Sequence, residues 1–100
     1  MEATNTFISK QIAYWEGDRE YHQNALKNKT EQLRYLESKA EIFPNGEERL
    51  PDTGALLSTM KVEMNSSISY YQENLEKAHM HLDILYTARD AKADNLYRKI

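Results

Sequence analysis

Cysteine is absent from the chain, which excludes a disulfide scaffold and any thiolate metal site and fits a reducing compartment. Glycine and proline are scarce, at three and two of 100 residues, so most of the chain must lie in long regular elements. No apolar run approaches the roughly 18 residues that a membrane-spanning helix needs. The opening Met1-Glu2-Ala3-Thr4-Asn5-Thr6 also lacks a basic stretch followed by an apolar one, so no secretory signal is expected. The expected setting is the cytoplasm. A net charge of −3 with acids and bases interspersed offers neither a basic stripe for duplex nucleic acid nor the field of a DNA mimic. A nucleophile beside a base, a Gly-rich phosphate loop and a His-Glu-x-x-His run are all missing, and Ser66 and Ser67 have no histidine in local reach. No enzymatic activity is expected.

What is present reads as helix. Ile8, Ile12, Trp15, Arg19, His22, Leu26, Lys29, Leu33, Leu36 and Ala40 recur at alternating spacings of four and three. A second row, Phe7, Tyr14, Tyr21, Asn28, Tyr35 and Ile42, repeats every seven residues beside the first. Together they make an apolar face too wide for one partner helix. The segment ends at Phe43-Pro44-Asn45-Gly46, where proline restricts its predecessor and Asn-Gly tolerates positive φ. Glu47-Glu48-Arg49-Leu50-Pro51 reads as a polar loop, after which Asp52 or Thr53 offers a capping oxygen. Leu57, Met64, Ile68, Tyr71, Leu75, Ala78, Leu82, Leu85, Arg89 and Leu96 then resume the three-four rhythm.

The expectation is an all-α fold: one domain, residues 1–100, forming a long antiparallel, coiled-coil-like helical hairpin. Its helices run over about 5–42 and 53–98, with the loop at about 43–52. Gly17 is the point of ambiguity, because glycine weakens a helix interior and Asp18 could cap a fresh helix, although the rhythm stays in phase across it. Leu56, Val62, Tyr70, Met80, Ile84, Tyr86 and Tyr97 fall away from the main row of the second helix. Pairing hairpins into a helical bundle would cover them, so they are the expected interface of a homodimer or higher oligomer, or of another protein.

Three groups of residues invite a chemical reading. Glu76-Lys77-Ala78-His79 is a Glu-x-x-His spacing, with His81 and Asp83 nearby. A loop centred near residue 48 would bring Asp18 and His22 to its level. A di-metal bundle needs two such copies and two more glutamates, so no metal and no cofactor is expected. Tyrosine and tryptophan outnumber phenylalanine by eight to two, which suits half-buried boundaries with a polar rim. Tyr14, Trp15 and Tyr21, with Lys27 and Lys29, could also stack a base and meet a phosphate. Arg19 and Arg89 occupy row positions where leucine would be expected and need a carboxylate, with Asp18, Glu73 and Glu76 as candidates, or a path to water.

The function expected from these features is a non-enzymatic, oligomeric helical interaction module: an adaptor, chaperone-like partner or inhibitor of another protein. The alternative is a small helical binder that sequesters a charged aromatic ligand such as a nucleotide between protomers.

Overall fold

The computed structural model describes residues 2–98, with side chains described for residues 6–91. Helix α1 (Glu2–Lys39) leads through two short strands, β1 (Glu41–Ile42) and β2 (Glu48–Arg49), into helix α2 (Leu57–Arg98). The helices form an antiparallel hairpin, as their periodicity predicts. Among the described residues, no helix is long and apolar enough to cross a membrane.

Helix α1 is unbroken at Gly17, so the alternative of a fresh helix capped by Asp18 does not hold. A Cβ built at Gly17 would meet nothing within 4 Å, and the position faces solvent. The remaining turns supply the packing that carries the helix across this weak residue.

The connection departs from a plain polar loop. Glu41 pairs with Arg49 and Ile42 with Glu48 in an antiparallel two-strand ladder, and Arg49 bridges onward to Leu56. Helix α1 therefore stops at Lys39, short of the expected residue 42, because Glu41 and Ile42 are taken up as strand. Gly46, at φ +84°, closes the first turn: its amide donates to the Phe43 carbonyl (2.8 Å), and the Phe43 amide donates to the Glu47 carbonyl (2.9 Å). Gly54, at φ +72°, closes the second, its amide donating to the Leu50 carbonyl at 2.8 Å. Only glycine enters that left-handed region at no steric cost. Arg49 clasps the turn, donating to the Gly54 carbonyl (2.6 Å) and to the Glu47 carboxylate (2.9 Å).

Helix α2 begins at Leu57, later than the expected residue 53. Thr53 does not cap it, since its hydroxyl oxygen accepts from the Ala55 amide at 3.3 Å, inside the turn. The approach to α2 is held by the backbone instead, through the Arg49–Leu56 bridge and the Leu50 amide donating to the Ala55 carbonyl at 2.9 Å.

The chain divides into two compact units. The loop unit, Gln23–Gln72, holds the strands and the adjoining halves of both helices. Leu50 and Leu57 are buried in it, and Leu26, Leu33, Leu36, Met64 and Ile68 are half-buried. The terminal unit, Met1–His22 with Glu73–Ile100, buries Ile12, Ala78 and Leu82. The row read from Ile8 to Ala40 is buried or half-buried at every position, including the polar Arg19, His22 and Lys29. Helix α2 keeps its row inward from Leu57 to Leu85. Arg89, by contrast, is exposed and is not a seam residue, while Leu96 lies outside the described side chains.

Candidate functional site

In the terminal unit the two helices meet through polar and aromatic side chains as well as aliphatic ones. Trp15 of α1 and His81 of α2, symmetrically placed about residue 48, stack with ring centroids 4.0 Å apart and planes 8° from parallel. Tyr14 meets Trp15 edge-on at 5.1 Å. One face of the indole is thereby covered by an imidazole from the opposing helix. Tyr86 reaches across from α2 and donates its hydroxyl proton to Glu16 at 3.2 Å.

Arg19, Arg89 and His22 find local partners. Arg19 lies 3.9 Å from Glu16, so its carboxylate is neither Asp18, Glu73 nor Glu76. Arg89 pairs with its neighbour Asp90 at 3.4 Å and lies over the Tyr86 ring at 5.1 Å. His22, only 7% exposed, sets Nδ1 at 2.8 Å from the Asp18 carbonyl and 3.3 Å from the Asp18 carboxylate. Such a buried imidazole is held through its own helix, without needing a metal. Among the described residues, no group of three or more His, Asp and Glu side chains could hold a metal ion. His79 and Glu76 face solvent.

Of the residues read as a nucleotide pocket, Tyr14, Trp15 and Tyr21 belong to the terminal unit, and Lys27 and Lys29 to the loop unit. Tyr14 and Trp15 touch, whereas Tyr21 sets its ring edge-on to His22 at 5.0 Å. Lys27 is exposed and Lys29 half-buried. Among the described residues, two open grooves in the loop unit are lined by other side chains than these five. One, of about 480 Å³, runs along α1 beside Asn28, Glu31, Gln32, Tyr35 and Leu36. The other, of about 400 Å³, lies beside the strands, between Gly46, Glu48, Leu56 and Lys61.

The larger feature is apolar surface. The row that repeats every seven residues, from Phe7 on α1 to Ile42 on β1, faces away from the core, in contrast to the row next to it. In the terminal unit Phe7, Tyr14 and Tyr21 are each more than 60% exposed, and so are Met80 and Ile84 on α2. The loop unit exposes Tyr35, Ile42, Val62 and Tyr70 to a similar degree. Of the expected interface set, Val62, Tyr70, Met80 and Ile84 therefore stand out to solvent. Leu56 and Tyr86 are half-buried, tied into the bridge to Arg49 and the bond to Glu16. Tyr97 lies outside the described side chains.

Sequence reasoning missed the Trp15–His81 stack and the Arg49 clasp. The signal for the first was the register about residue 48, which brings 15 and 81 level; for the second, it was an arginine five residues before a glycine. No protein-family model, curated protein or solved structure matches the chain.

Proposed function

We propose that the protein is a non-enzymatic helical interaction module that works as an oligomer, as an adaptor, chaperone-like partner or inhibitor of another protein. The observation that carries this reading is the exposure of large apolar and tyrosine side chains on both helices, beside inner rows that are buried or half-buried from Ile8 to Ala40 and from Leu57 to Leu85. The chain's accessible surface is 7603 Å², against about 5,900 Å² for a globular monomer of 11.7 kDa. The difference, about 1,700 Å² on one chain, is roughly twice the 800 Å² that each partner of a standard interface buries. Tyrosine suits that role because its ring packs while its hydroxyl stays hydrated. A cytoplasmic location goes with this reading, supported by the lack of cysteine.

A nucleotide-binding role for Tyr14, Trp15, Tyr21, Lys27 and Lys29 gains no support from the geometry. His81 occupies one of the two indole faces of Trp15, Tyr21 turns to His22 rather than to Trp15, and Lys27 and Lys29 belong to the other unit.

The test is to replace Met80 and Ile84 by serine. Both are 64% exposed, so helicity by circular dichroism should be retained while binding to a protein partner or self-association weakens. Loss of helicity with unchanged association would instead assign these side chains to internal packing and overturn the reading.

A further inference from the structure

We infer that, within the oligomer proposed above, α1 of the terminal unit seats α1 of a second copy, antiparallel, along the face that carries Phe7, Tyr14 and Tyr21. This inference rests on that reading and names the occupant of one of its faces.

Phe7, Lys10, Tyr14, Gly17 and Tyr21 follow one another at alternating spacings of three and four, so they share one face of α1. All are exposed, and the face is distinct from the one that Ile8, Ile12, Trp15 and His22 turn toward the core. Gly17 contributes nothing to the fold that alanine would not: it has open space around its Cβ position and lies in an unbroken helix. A glycine in that position serves close approach of another backbone.

The face complements itself. An antiparallel two-fold pairing centred between Tyr14 and Gly17 sets each Tyr14 ring over the second copy's Gly17, so one copy supplies the ring and the other the hole, twice. It also brings Lys10 to the level of the second copy's Glu20 and Tyr21, a match of opposite charge at both ends of the seam. Lys10 and Glu20 are both exposed and available for it. A parallel pairing would set Tyr14 against Tyr14, Gly17 against Gly17 and Lys10 against Lys10, losing the ring-to-hole fit and opposing like charges. The surplus of about 1,700 Å² leaves room for such an interface on each copy.

Sedimentation equilibrium of the full chain tests this. Gly17→Ala improves helix propensity, yet it should weaken the dimer about tenfold by crowding the seam. Lys10→Glu should weaken it about threefold, and adding Glu20→Lys should restore it. Unchanged or tighter association in Gly17→Ala, or no rescue in the charge exchange, would overturn the antiparallel seam. In that case a wild-type protein that still associates keeps the oligomeric reading, with its contact on another face. A wild-type protein that is monomeric at every concentration would overturn both.

Discussion

The chain's one tryptophan stacks on a histidine from the opposing helix, and that makes residue 15 an internal reporter of the terminal unit. Replacing His81 by alanine should move Trp15 fluorescence to the red and cost about 0.5–1.5 kcal/mol of stability, with helicity little changed. An unchanged emission spectrum would mean that the rings do not stack in solution. The aliphatic core is a sharper lever. Leu82 is 1% exposed in a unit whose other buried apolar side chains, among the described residues, are Ile12 and Ala78. Leu82→Ala should therefore cost about 2–5 kcal/mol in chemical unfolding, because few neighbours can collapse into the cavity. These inner positions are legible in the sequence, since a three-four spacing admits one inward face and Ile8 through Ala40 all lie on it. What is not legible is which polar group answers which: Arg19 turns to Glu16, one helical turn away, because a local carboxylate costs less side-chain ordering than one on the opposing helix.

At the scale of elements, the helices follow from periodicity, but their ends do not. Proline at 44 correctly forbids helix through Phe43, yet α1 stops earlier because the ladder of Glu41 and Ile42 with Glu48 and Arg49 competes for the same backbone groups. Propensity carries no trace of a pairing made with residues further along the chain. The start of α2 shows the same limit, as Thr53 has a capping side chain but spends it on a turn. Two substitutions test the connection. Gly54→Ala places a Cβ at φ +72° and should cost about 1–2 kcal/mol in thermal unfolding. Arg49→Met keeps the aliphatic stem but removes the donors to Gly54 and Glu47, with an expected loss of roughly 1–2 kcal/mol. If neither variant shifts the melting curve, the connection contributes nothing to stability and the clasp is incidental.

For the molecule as a whole, the deciding quantity is exposed apolar surface. The second row reads in sequence as an extension of the apolar face, and the structure turns Phe7, Tyr14, Tyr21 and Tyr35 of α1 to solvent because one neighbouring helix can cover only one stripe, with Ile42 exposed on β1. Sequence alone thus supplies the surplus, and only the fold identifies which side chains constitute it. Exposed aromatic area of this extent is costly in water unless something covers it. The direct measurement is the solution mass of the full chain by light scattering coupled to size exclusion, across a range of loading concentrations. The expected mass is twice the 11.7 kDa of the chain or a higher multiple, falling toward the monomer only on dilution. A folded, helical species of 11.7 kDa at every concentration would contradict it.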